Sequence, residues 1–133
     1  VTINLYLPNN QILQGTILMS QVTIYHNPRC SKSRQTLELL KQNDVEPEVV
    51  EYLKTPPNAA ELKDILEKLG LSADQLMRKK EDAYKELGLA GINNEDELIT
   101  AMVNNPKLIE RPIVIRGNKA AIGRPPEAVL DIL

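Results

Sequence analysis

The single cysteine of this 133-residue chain, Cys30, lies in the stretch HNPRCSKSR, where a short β-branched run gives way to helix-forming residues. The first amide N–H groups of a helix have no partner within it and carry partial positive charge, so they stabilise a nearby thiolate over the thiol. The neighbours add positive charge and hydroxyl donors: Arg29, Lys32 and Arg34 carry the charge, and Ser31 and Ser33 the hydroxyl groups. The pattern therefore predicts a reactive nucleophile, whereas apolar neighbours would have indicated an inert, buried cysteine.

The count of metal-binding and disulfide-forming residues excludes several classes of protein. One cysteine cannot form an internal disulfide, and together with a single histidine it cannot supply a structural zinc site. We therefore expect no bound cofactor or metal and a reducing, cytoplasmic setting. A net charge of −2 gives no indication of a nucleic-acid partner, and no apolar run is long enough to span a membrane.

The first eighteen residues differ from the rest, because they contain no acidic or basic residue and they precede Met19. We expect Met19 to be the natural start, with 1–18 a leader or other upstream segment and 19–133 a single domain. An alternative is that VTINLYL, which has strand-like composition, forms an extra strand.

The elements that must position Cys30 alternate in type. The stretch QVTIYH predicts a strand, SKSRQTLELLKQND a helix, and PEVVEYL a second strand. The segment TPPNAAELKDILEKLG predicts a helix that opens with its prolines and ends at Gly70. This β-α-β-α order favours a right-handed parallel crossover.

The remainder of the chain predicts a helical insertion over residues 71–109 and then a hairpin in RPIVIRGNKAAIG, with Gly117-Asn118 in the turn. The last stretch, PPEAVLDIL, predicts a helix with prolines in its first turn. We therefore expect an α/β, thioredoxin-like fold, in which helices flank a small mixed sheet and the helical insertion separates the βαβα and ββα parts. Neither a heptad nor a large apolar patch demands a dimer, so we expect a monomer.

Four blocks carry a resemblance to a known family: YHNPRCSKSRQTLELL, LMRKKEDAYKELGL, NPKLIERPIVI and IGRPPEAVLDIL. From Val22 onward the chain resembles the glutaredoxin-dependent arsenate reductases of bacteria, in particular their short members. The resemblance implies a thioredoxin-like fold, reduction of arsenate to arsenite, glutathione as co-substrate and glutaredoxin as partner.

The resemblance also implies roles for individual residues. Cys30 would be the nucleophile, and Arg78, Arg111 and Arg124 would hold the oxyanion, with a cis peptide bond between Arg111 and Pro112. The residues themselves give some support, because Arg111 and Arg124 each precede a proline, which restricts their backbone to extended conformations. Guanidinium groups also match the geometry of oxyanions better than lysine does.

His26 and Ser33 are predicted to support the cysteine. His26 could keep the thiolate charged if protonated, or orient the loop through a hydrogen bond, and a purely structural bond is the alternative. The resemblance favours a supporting role. Ser33 stands where a two-cysteine redox motif would place its second thiol.

The thiol count bears on mechanism, because reduction of arsenate requires a second thiol that this chain lacks. The resolving thiol must therefore be external, and the resemblance identifies it as glutathione. Two other functions remain open: a redox regulator that binds RNA polymerase, and a thiol transferase acting on another substrate.

Overall fold

The computed structural model describes residues 21–133. A four-stranded mixed sheet forms its centre, with the spatial order β2-β1-β3-β4. Strand β1 pairs in parallel with β2 and antiparallel with β3, and β3 pairs antiparallel with β4. The strands are β1 (Val22–His26), β2 (Glu48–Glu51), β3 (Ile113–Arg116) and β4 (Lys119–Ile122).

Five α-helices and three 3₁₀ segments occur in the described residues. The helices are α1 (Ser31–Gln42), α2 (Ala59–Leu69), α3 (Ala73–Leu76), α4 (Asp82–Glu86) and α5 (Glu95–Asn104). The 3₁₀ segments are Leu89–Gly91, Pro106–Leu108 and Pro126–Ile132. The predicted order, including the helical insertion before the β3-β4 hairpin, is confirmed, and the final predicted helix is a 3₁₀ helix.

The predicted start of α2 was wrong. Pro56 and Pro57 precede the helix, which begins at Ala59. Asn58 is the N-cap: its side chain accepts a hydrogen bond from the Glu61 N–H (2.8 Å), and the Glu61 carboxylate accepts one from the Asn58 N–H (2.9 Å). This capping box satisfies backbone N–H groups at the start of the helix, which have no partner within it. A proline side chain has no acceptor atom and cannot do this.

Helices and 3₁₀ segments cover both faces of the sheet. Alternate strand residues point to opposite sides, so each face contributes its own side chains to a separate core. On one face, Ile24 and Val114 pack with Leu40 of α1 and with Val129 and Ile132 of the last 3₁₀ segment. On the other face, a second core joins β3 to the helical insertion and α2: Ile113, Leu62, Ile65, Leu76, Ile99 and Met102. The predicted arrangement of helices on both faces of a mixed sheet is therefore confirmed.

The predictions for residues 1–18 lie outside the described residues. Within 21–133, no helix is long and apolar enough to cross a membrane.

Candidate active site

Cys30 occupies the N-cap position of α1, with its backbone in an extended conformation. Its N–H donates to the Asn27 carbonyl, and its own carbonyl accepts from the Arg34 N–H, both at 3.0 Å. The residue is only 8% exposed. Cys30 therefore lies at the start of the helix as predicted, and hydrogen bonds of its own N–H and carbonyl fix its backbone.

His26 and Ser33 form a buried hydrogen bond beneath this loop. The His26 Nδ1 lies 2.6 Å from the Ser33 Oγ, which also accepts the Asn27 N–H at 3.0 Å. Burial lowers the pKa of His26 below its usual value of 6.5. Burial thus favours the neutral ring, and the hydrogen bond to Ser33 fits a role for His26 in orienting the loop.

Arg78 reaches the site through a short antiparallel contact between the LMRKK and LIER stretches. The Arg78 N–H donates to the Leu108 carbonyl at 2.7 Å, and the Glu110 N–H donates to the Leu76 carbonyl at 3.0 Å. This contact brings the Arg78 Nε to 3.6 Å from the Glu110 carboxylate. Residues thirty or more positions apart in the chain are thus fixed side by side.

Arg124 faces the sulfur directly. Its Nη2 lies 3.7 Å from the Cys30 Sγ. Its Nε donates to the Arg111 carbonyl at 2.8 Å and lies 3.0 Å from the Glu110 carboxylate. The guanidinium group is therefore held at its Nε edge, which directs a terminal nitrogen towards the thiol.

Arg111 lies in the loop that enters β3, and its peptide bond to Pro112 is cis, as the family resemblance implied. Its Nε is buried and has no hydrogen-bond partner among residues 21–133. A second cis bond joins Arg124 to Pro125, which was not predicted. Of the three arginines, Arg124 is the one that hydrogen-bonds the sulfur in the described residues, and Arg78 joins the site through Glu110.

Sequence reasoning missed the carboxylates and a tyrosine at this site. Glu110 contacts both Arg78 and Arg124, and Glu81 lies 2.6 Å from the Arg78 Nη1. The sequence contained an indication of both carboxylates, because each lies within three positions of an arginine in one of the family motifs. Tyr52 is buried, and burial raises its pKa to about 12. A hydrogen bond with Asn27 and the charge of Arg78 act in the opposite direction with smaller effects on this pKa. Its phenol is therefore protonated at neutral pH.

Gly123 allows the strand that leads to Arg124 to approach the Arg111-Pro112 loop. Its N–H donates to the Pro112 carbonyl at 3.0 Å. A Cβ at this position would lie 2.8 Å from the Pro112 Cγ and would clash with the hydroxyl of the buried Thr36. The absence of a side chain at position 123 is therefore what lets α1, the proline loop and Arg124 meet.

Gly123→Ala is expected to lower the free energy of unfolding by about 2 kcal/mol, because the added methyl group must push Thr36 or Pro112 out of a closely packed position. Denaturant unfolding measures this. Gly91→Ala is the matched control, because a Cβ at Gly91 meets nothing within 4 Å, and we expect a change within about 0.5 kcal/mol. Equal effects of the two substitutions would contradict the packing described here.

The sheet order, the helices on both faces of the sheet and the cysteine at the start of the first helix together define a thioredoxin-like α/β protein, in which an arginine nitrogen lies 3.7 Å from that cysteine's sulfur. The ArsC family matches residues 25–132, and the chain belongs to that family.

Relatives of similar length support this assignment. The chain is 64% identical over 118 residues to the uncharacterized protein YfgD of Escherichia coli K12, which covers 87% of this chain and 99% of that protein. It is 53% identical over 117 residues to an arsenate reductase of Neisseria meningitidis, covering 86% of this chain and 100% of that protein. The structure of an arsenate reductase from Vibrio cholerae matches with a TM-score of 0.83 and 51% identity, over 86% of this chain and 98% of that one.

Proposed function

We propose that this protein is an arsenate reductase in which Cys30 is the nucleophile. The observation that carries the proposal is the Arg124 Nη2 at 3.7 Å from the Cys30 Sγ, on a guanidinium group whose other edge is bonded to the protein. A guanidinium group fixed beside the nucleophile can hold an oxyanion next to the sulfur. The arsenate reductases among its relatives support the same substrate.

The first step forms a bond between sulfur and arsenic. The Cys30 thiolate attacks the arsenic(V) atom of arsenate, the bond from arsenic to one hydroxyl breaks, and that hydroxyl takes a proton from solvent and leaves as water. Arg78, Arg111 and Arg124 would neutralise the remaining oxygens through guanidinium N–H groups, which suit the geometry of an oxyanion. His26 and Ser33 would hold the loop so that the sulfur stays aligned with the substrate.

Completion of the reaction needs a second thiol. Reduction of arsenic(V) to arsenic(III) takes two electrons, and oxidation of two thiols to one disulfide supplies them. Cys30 is the only cysteine of the chain, so the second thiol comes from another molecule. We propose glutathione for this role, with glutaredoxin reducing the resulting disulfide, in the reducing environment of the cytoplasm.

The proposal is tested by measuring arsenite release from arsenate. The intact protein, glutathione, glutaredoxin and a system that regenerates reduced glutathione are expected to give continuous turnover. Omission of glutathione is the control, and it is expected to stop turnover. Absence of arsenite in the complete mixture would contradict the proposed function, whether or not arsenate binds.

A further inference from the structure

The arginines of the site are paired with two carboxylates in different ways. Glu110 lies at the Nε edge of both Arg124 (3.0 Å) and Arg78 (3.6 Å), and it accepts the Arg111 N–H at 3.1 Å. Glu81, which lies three positions after Arg78, instead binds the terminal Nη1 of that arginine at 2.6 Å. The two carboxylates therefore hold opposite parts of the guanidinium groups.

This difference matters because a guanidinium group has a limited set of N–H donors in fixed directions. A carboxylate at Nε restrains the side chain and leaves terminal nitrogens available to a ligand. A carboxylate at Nη1 occupies a terminal donor that an oxyanion would use. The Arg78, Glu81, Glu110 and Arg124 side chains are 25–34% exposed, so water and small anions can reach these pairs.

We infer that Glu110 is a positioning residue for oxyanion binding and that Glu81 is an internal competitor for the same anion. Glu110 orients Arg124 and Arg78 around the thiol. Its negative charge does not block an anionic ligand, because the carboxylate lies at the Nε atoms and leaves the terminal nitrogens free of it. Glu81 mimics the ligand at Arg78 and is displaced when an oxyanion binds. The inference rests on the proposed function for the role of these arginines.

Positioning of the arginines and net charge predict different effects when a carboxylate is removed. Removing either carboxylate makes the site more positive, and simple electrostatics would then strengthen anion binding in both cases. Positioning predicts opposite signs instead. Loss of Glu110 weakens anion binding despite the gain in positive charge, and loss of Glu81 strengthens it.

The experiment measures how sulfate and arsenate protect Cys30 from alkylation by iodoacetamide, a neutral reagent, so it does not depend on turnover. Glu110→Gln, Glu81→Gln and Glu67→Gln carry the same chemical change. Glu67 is exposed on α2 and forms no ion pair within residues 21–133, so it controls for net charge. Thermal unfolding establishes that each variant is folded.

Relative to the intact protein, we expect the half-protecting concentration to rise about threefold in Glu110→Gln, which loses the two ion pairs but keeps an acceptor for the Arg111 N–H. We expect a rise of about tenfold in Glu110→Ala, which loses that acceptor as well. In Glu81→Gln we expect it to fall about threefold, because a partly exposed ion pair no longer competes. In Glu67→Gln it is expected to stay unchanged.

Stronger protection in both site variants would overturn the inference in favour of net charge, and values equal to that of Glu67→Gln would overturn it too. Absence of protection in the intact protein would contradict the oxyanion site of the proposed function itself. Protection without arsenite release would contradict arsenate reduction. The effects of the Glu110 and Glu81 variants on anion binding would then still support or overturn the inference.

Discussion

Cys30→Ser is expected to abolish arsenate reduction, lowering the rate of arsenite release by about a thousandfold or more. A serine hydroxyl is not ionised at neutral pH, so it cannot replace the thiolate as the nucleophile that bonds to arsenic. The fold should tolerate the change, because the two side chains have the same shape and the Arg124 Nη2 at 3.7 Å from the sulfur can donate to either. Arsenite release with glutathione and glutaredoxin present is the measurement.

Ser31→Ala is the control for this substitution. Ser31 is the neighbouring residue, is exposed in the first turn of α1, and lies outside the proposed machinery. We expect it to retain turnover within about twofold, as is usual for an exposed position without a special contact. Residual turnover in Cys30→Ser comparable to that of Ser31→Ala would mean that the thiol of this chain does not attack arsenate.

Arg124→Lys is expected to lower kcat/KM for arsenate by about a hundredfold, nearly as much as Arg124→Ala. The positive charge is kept, but lysine has one nitrogen and cannot donate to the Arg111 carbonyl and face the sulfur at the same time. In the structure these tasks fall to the Nε, 2.8 Å from the Arg111 carbonyl, and the Nη2, 3.7 Å from the sulfur. Steady-state kinetics over a range of arsenate concentrations gives kcat and KM separately.

Lys79→Ala is the control for loss of a cation near the site. Lys79 is exposed and pairs with Asp74 at 2.9 Å, so its removal should change kcat/KM by less than about threefold. If Arg124→Lys retained full activity, positive charge alone would suffice, and the fixed geometry of the guanidinium group would have no catalytic importance. Equal losses in Arg124→Lys and Lys79→Ala would likewise contradict the role given to Arg124.

Local patterns in the sequence predicted the main elements correctly because each depends on residues close together in the chain. The β-branched run before Cys30 forms β1, and the helix-forming run after it forms α1. Gly117, with a φ of 59°, makes the turn of the predicted hairpin. The predicted start of α2 at the two prolines is wrong because Asn58, with its side-chain acceptor and Glu61 three positions later, caps the helix after them.

By itself, then, the sequence determined a thiol at the start of the first helix, the order of the elements and, through family resemblance, which arginines to examine. Only the tertiary structure decided that Arg124 is the arginine that reaches the sulfur, across 94 positions of the chain. It also decided that Glu110 lies at the Nε atoms of the arginines and that Glu81 lies at a terminal nitrogen of Arg78. It also decided that Gly123 must lack a side chain. The physical reason is that helix and strand formation follow from short-range periodicity, whereas hydrogen-bond partners and close packing depend on which distant segments the fold brings into contact.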